Sequence, residues 1–350
     1  MQSPYQDNKS KAEHAWRLNS FIDVLADVIV HGVFRKKRPS LHFDISQADL
    51  QSLLDASQQE LQELKAQREI CRKQYVLRKR ILLVALPLLL LGLPFIGLGA
   101  ISLMFIAFVL GGCWMVSASL PYRKYFDQQF LPALLARLPN YEYMRNGYIP
   151  VTELKSSGII PDHVDSLTRQ EDYLHRWHDD VYCELVECEF KEYRRDKNGV
   201  KESPVFKGVI SRLTMPNRIS KRIVMQANWG KLLSLLQKKP MDKSFGYKLD
   251  EPRLAKKYDF YCEDKTYLES TISTAFQAKL ADFIDKLDVA APEFSFYENY
   301  ALLLLHRPQN FLSAPALNEP LDQQKLLTEL LQEIQMMNEF ESLALEVWPI

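Results

Sequence analysis

No charged residue occurs between Arg80 and Arg123, and the run from Ile81 to Tyr122 is largely apolar. One helix over that run would be about 60 Å long, roughly twice the hydrocarbon thickness of a bilayer. Gly92, Pro94, Gly97 and Gly99 fall near its centre, where a helix can break and turn back. The pattern therefore predicts a two-helix transmembrane hairpin over residues 81–121, with spans at Ile81–Pro94 and Ala100–Leu120. A single kinked span is the rival. Arg72, Lys73, Arg78, Lys79 and Arg80 precede the run, Arg123 and Lys124 follow it, and the connecting turn has no charge. By the positive-inside rule both termini then face the cytoplasm.

Before the hairpin the apolar positions keep a helical period. In residues 12–33, Trp16, Leu18, Phe21, Ile22, Leu25, Val28 and Ile29 share one face, with Asp23 and Asp27 opposite, and "RKKR" follows at 35–38. Residues 1–45 read as an amphipathic helix and a basic segment, either lying on lipid headgroups or packed on the rest of the chain. Residues 46–80 read as a stalk helix opened by Ser46 and Asp49. Leu50, Leu54, Ser57, Leu61, Leu64, Arg68, Cys71 and Tyr75 alternate by four and three along it. The seam Leu50, Leu54, Leu61 and Leu64 is an interaction surface, whether for a second copy, this chain's C-terminal helix or a partner.

From Tyr122 the pattern turns to mixed helix and strand. A helix leaves the hairpin at "RKYFDQQFLPALLARL", and "VYCELVECEFKEYRR", "SPVFKGVISRLTM" and "RISKRIVMQAN" read as strands of an antiparallel meander, with "DKNG" as a hairpin turn. "NWGKLLSLLQKK" reads as a short helix or insertion, "KYDFYCED" as a strand and "TYLESTISTAFQAKLADFIDKL" as a helix. Two strands flank a turn at Glu298–Asn299, and Asn318 is placed as N-cap of the closing helix, with Pro320 near its first turn. Residues 122–350 are thus expected to form an α+β cytoplasmic domain with a mainly antiparallel sheet and packed helices.

Charge and cysteine content narrow the class. The 44 basic and 44 acidic residues cancel, which gives no pull toward nucleic acid. Fourteen of the basic and ten of the acidic residues lie in the first 80 positions, a bias suited to anionic headgroups. Five cysteines without framework spacing suit reduced thiols. Cys183 and Cys188, five apart on one strand, should point to opposite faces.

The densest reactive cluster is "LHRWHDDVYCELVEC". If helical, it puts His175 and His178 on one face beside Asp179, a possible metal set of two imidazoles and a carboxylate. The spacing is not that of a zinc protease helix, and a polar helix end with capping carboxylates before a strand is the favoured account of it. Walker, dinucleotide, nucleophile-elbow and EF-hand signatures are missing. No catalytic residue and no cofactor is assigned.

The stretches Glu171–Arg176 ("EDYLHR"), Val205–Ile210 ("VFKGVI"), Tyr258–Leu280 and Phe294–Leu305 ("FSFYENYALLLL"), together with the order of elements, resemble an uncharacterised bacterial membrane family known as domain of unknown function 3137. The chain departs from that pattern at "YLES" and "FLSA", as a divergent member would. The resemblance implies a helical N-terminal region, two spans, a cytoplasmic α+β domain and residence in the bacterial inner membrane. It implies no reaction. It also suggests a LemA-type membrane protein as partner.

The sequence therefore predicts a membrane-anchored adaptor or assembly protein, binding membrane lipid and either a protein partner or itself, and no nucleic acid. A metal-dependent hydrolase around His175, His178 and Asp179 is the alternative from another class. A domain that takes lipid or a small ligand in a cleft of its sheet is a third.

Overall fold

The structure, a computed structural model, describes residues 41–96, 109–114, 117–160, 169–196, 199–227, 245–247, 249–287, 289, 292–307, 312–317 and 320–348. The amphipathic segment at 12–33, the helix or insertion at 228–239 and Asn318 lie outside them. The chain divides into two compact units. Residues 62–126 and 314–321 belong to one, and residues 39–61, 127–313 and 322–350 to the other.

The helical elements open with α1 (Gln47–Ala56) and α2 (Gln58–Ile96), followed by α3 (Leu120–Tyr125), a π-helical turn (Phe126–Phe130) and α4 (Leu131–Leu135). Ser46 caps α1 as expected, its hydroxyl accepting from the Asp49 amide at 3.4 Å. The stalk is not one helix. Ser57, which is buried, separates α1 from α2. Leu50, Leu61 and Leu64 are buried within this chain, as are Arg68 and Cys71, while Leu54 is half-buried.

The expected transmembrane hairpin is overturned. Helix α2 runs on through Gly92 and Pro94 to Ile96, so the first span does not end at Pro94. Its apolar part, Ile81–Ile96, is shorter than the roughly 20 residues a bilayer core requires. Among the described residues no helix is long and apolar enough to cross a membrane. The multi-pass inner-membrane placement, with both termini in the cytoplasm, falls with the hairpin that carried it. Residues 97–108 lie outside the described residues.

In the first unit, Arg78 donates to the Trp114 carbonyl and to Ser117 Oγ, both at 2.6 Å, and its guanidinium sits 5.2 Å from the centre of the Trp114 ring. The Arg68 guanidinium donates to the carbonyls of Ala316 at 3.0 Å and Leu317 at 3.3 Å. Burial pushes the Tyr122 hydroxyl up to about 12.

The second unit holds an antiparallel sheet of nine strands among the described residues. These are β1 (Glu142–Met144), β2 (Arg169–His178), β3 (Val181–Asp196), β4 (Gly199–Thr214), β5 (Ile223–Ala227), β6 (Phe245–Tyr247), β7 (Tyr258–Cys262), β8 (Glu293–Tyr297) and β9 (Tyr300–His306). Interleaved with them are α5 (Val151–Lys155), α6 (Pro252–Ala255), α7 (Lys265–Thr271) and α8 (Thr274–Lys286), and α9 (Gln323–Val347) closes the chain. The order across the sheet is β1-β2-β3-β4-β9-β8-β5-β7-β6. The meander expected from β3 through β5 is therefore interrupted. The β8–β9 hairpin, turned at Glu298 (φ 50°), takes the place beside β4.

Both faces of the sheet are covered. On one, Phe283 of α8 and Phe340 of α9 meet Phe294 of β8, with ring centres 6.0 to 6.3 Å apart, and α1 packs on α9. On the other, Val151 and Leu154 of α5, with Ile149, Ile159 and Ile160, close over Val186, Ile210, Leu302 and Leu304. Cys188 joins this second core, whereas Cys183 faces α9. The long expected helix from Thr266 is split, with α8 starting afresh at a Ser273 cap, and α9 is capped by Asp322.

Candidate functional site

The β2–β3 hairpin carries the reactive cluster, and it is not helical. β2 stays extended to His178, and a two-residue turn at Asp179–Asp180 leads into Val181, with Asp179 at φ 49°. No glycine or Asn-Gly pair announced that turn. Residues three apart on a strand point to opposite faces, so His175 and His178 diverge and Asp179 sits in the turn. His175 Nε2 lies 3.6 Å from a Glu142 oxygen, whereas His178 Nδ1 lies 2.6 Å from Glu341. Among the described residues no group of three His, Cys, Asp or Glu side chains could hold a metal ion.

On the α9 side, Arg176, His178 and Cys183 converge on Glu341, which is buried. The Arg176 guanidinium donates to one Glu341 oxygen and lies 5.2 Å from the centre of the Tyr141 ring. Tyr141 in turn donates to Asn338 at 3.1 Å. Burial, reinforced by the Glu341 charge, pushes the Cys183 thiol up to about 12, which removes it as a nucleophile at neutral pH. The cluster is a closed tie between β2, β3 and α9.

The opposite face, which α5 covers over its centre, is exposed at its β1–β2 end, at Met144 and Trp177. Register places Tyr173, His175 and Trp177 of β2 on one face with Glu142 and Met144 of β1, Tyr182 and Glu184 of β3, and Arg212 of β4. Arg212 and Glu184 stand opposite each other and are both buried, with Arg212 Nε donating to Glu184 at 2.6 Å. Arg212 also donates to Glu153, which α5 delivers, and its guanidinium lies 5.1 Å from the Tyr300 ring centre. Burial alone would lower the Arg212 pKa, but its two carboxylate partners outweigh that and hold it above the usual value. Tyr173 donates to the other Glu184 oxygen at 2.6 Å, and Tyr182 lies 3.1 Å from the Tyr173 hydroxyl.

Above this rigid floor, Trp177 packs on Tyr182, ring centres 4.8 Å apart, yet remains 64% exposed. Met144 is also exposed, as is Tyr148, which follows a Gly147 pressed against the Tyr173 ring. Three carboxylates, Glu142, Glu153 and Glu184, share this face with one guanidinium that two of them already hold. The surface is apolar, aromatic and acidic.

A cleft of about 300 Å³ lies between residues 218–220, α7 and the end of α9. Its walls carry the hydroxyls of Ser220, Tyr267, Ser270 and Thr271, with Arg218 and Glu346. Ile219, Val347 and Trp348 complete the lining.

A family model described as "Protein of unknown function (DUF3137)" matches residues 204–343. Over that segment the chain resembles the DUF3137 family. The segment takes in the stretches at Val205–Ile210, Tyr258–Leu280 and Phe294–Leu305, and leaves out Glu171–Arg176. Of the network, Arg212 and Glu341 fall inside the DUF3137 segment, while β2, Glu184 and Trp177 precede it. No curated protein matches the chain. The crystal structure of the mycobacterial trehalose monomycolate transport factor A, TtfA, is similar over 65% of this chain and 95% of that one. Its TM-score is 0.34 and its sequence identity 8%, a likeness too slight to carry fold or function across.

Sequence pattern passed over Arg212, Glu184 and Glu341. The signal was present in "GVISRLTM" and "NEFESLAL", where a charge sits in an apolar stretch and needs a buried partner.

Proposed function

We propose that this chain is a non-enzymatic adaptor and that it holds a basic segment of another protein on the outer face of β1–β3. One observation carries the reading. Trp177 is left 64% exposed on a strand whose underlying side chains are locked by hydrogen bonds. Exposed tryptophan and tyrosine on a preorganised support are the usual anchors of protein interfaces. The excess of carboxylates selects a cationic partner. The stalk seam is not the docking surface in this reading, since Leu50, Leu61 and Leu64 are already buried.

The test places a photo-crosslinking amino acid at Trp177 in the full-length chain, in its own cells. A discrete partner should be captured, and Glu142→Lys should reduce its capture at least tenfold. Trp177→Ala should weaken the purified complex by roughly 2 kcal/mol, about thirtyfold. Capture that is indifferent to Glu142→Lys, or a complex indifferent to Trp177→Ala, counts against this face.

A further inference from the structure

We infer that the solvent-facing side of α2 docks an acidic amphipathic helix of a partner protein, through residues that the face around Trp177 does not use. Helix α2 has two distinct sides. The column Leu64, Arg68, Cys71, Tyr75 and Arg78 is buried or half-buried. On the other side, Ile70, Leu77 and Val84 recur every seven residues and are 54%, 59% and 63% exposed, with Ile81 beside them at 46%. Lys73 and Arg80, both exposed, follow Ile70 and Leu77 by three residues. In heptad terms this is an apolar a column with a cation at each d position.

That pattern says what can cover it. Two copies laid together would set Lys73 and Arg80 against like charges, which disfavours self-pairing. Lysine and arginine make up every charge between Ile70 and Phe126, seven in all, and Arg72 among them pairs with Glu69 just outside that stretch. A helix with apolar residues at its own a positions and carboxylates at d buries the column and pairs both cations. The strip from Ile70 to Val84 is about 21 Å long and bounded on one side by Lys73 and Arg80. That is the footprint of a helix ridge.

The experiment uses the full chain and two labelled four-heptad peptides, both with Leu at a, one with Glu and one with Lys at d. Fluorescence anisotropy should show the Glu peptide binding at least tenfold more tightly than the Lys peptide. Leu77→Glu should weaken it at least tenfold. The double variant Lys73→Glu, Arg80→Glu changes only exposed side chains and should invert the preference. Equal binding of both peptides overturns the inference, as does indifference to Leu77→Glu or to the double charge reversal. Sedimentation with phosphatidylglycerol vesicles that depends on Lys73 and Arg80, with no peptide preference, would assign the surface to anionic lipid instead. A dimer that Leu77→Glu dissolves would assign it to a second copy. Either result also overturns the inference.

Discussion

His178 Nδ1 lies 2.6 Å from one oxygen of Glu341, and Arg176 holds the other oxygen of the same carboxylate. Glu341 and Arg176 are largely buried, whereas His178 is 56% exposed. Removing the carboxylate strands the arginine charge in a low-dielectric layer, which typically costs about 3–5 kcal/mol. Glu341→Ala should lower the urea midpoint of unfolding accordingly. His178→Ala should cost about 1 kcal/mol or less, because its half of the pair is solvated. Equal losses from the two variants would contradict the view of this cluster as an Arg176–Glu341 tie.

Helix α2 tells its two sides apart by mutation. Leu64 is fully buried, so Leu64→Ala should cost about 3 kcal/mol from lost transfer energy and the cavity left behind. Leu77 is 59% exposed, and Leu77→Ala should stay within about 0.5 kcal/mol. Denaturant unfolding of both variants, at protein concentrations spanning two decades, checks the assignment. A Leu64→Ala loss that disappeared at low concentration would mean that the seam is buried between chains.

Periodicity carried the second unit well and the reactive cluster badly, for physical reasons. Alternation and the Glu298–Asn299 turn announced β8 and β9, and five-residue spacing on a strand correctly sent Cys183 and Cys188 to opposite faces. The β2 segment reads "EDYLHRWHDD", without clean alternation, and a bulge explains why. Asp172 takes a left-handed φ of 51°, and the register with β3 slips between Glu171 and Leu174. A slip of one residue moves every later side chain to the other face, so a pattern read from the first half fails in the second. The order β4-β9-β8-β5 depends on which strands find each other across the chain, which local pattern does not encode. The apolar run from Ile81 misled for another reason. Hydropathy counts residues, while a span also needs helix length, and among the described residues the helix through Pro94 holds too few apolar residues to cross a membrane.

At Gly208, β4 depends on close approach to the backbone of β9. A Cβ there would stand 1.9 Å from the Leu305 carbonyl oxygen, a backbone atom that no rotamer change can move aside. Gly208→Ala should therefore cost about 3 kcal/mol, near the upper end for overpacking in a closed layer. Thermal unfolding should fall by several degrees, whereas alanine at Gly112, which has nothing within 4 Å, should not disturb packing at all. A stable Gly208→Ala variant would mean that β4 and β9 can part locally without loss.

Asp172, at the bulge, accepts a 2.5 Å hydrogen bond from Tyr143. Burial pushes its carboxyl up to about 6, against a lowering pull from that hydrogen bond. In the unfolded chain the group returns to its ordinary value of 3.8, so between about pH 4 and pH 6 the folded state holds the extra proton. Stability from this group is therefore greatest at low pH, falls as pH rises through that window, and stays diminished above it. Asn tolerates the left-handed φ and keeps an oxygen for Tyr143, so Asp172→Asn removes the titration without removing the geometry. The variant should match the parent near pH 4 and exceed it at pH 7 by on the order of 3 kcal/mol at most. Glu293, which burial raises to about 7, titrates in both proteins and cancels in the comparison. Urea unfolding at four pH values between 4 and 7 measures the difference. A gap that stays flat across the series would mean that Asp172 ionises as an ordinary carboxylate, and that the bulge holds a charge it can solvate.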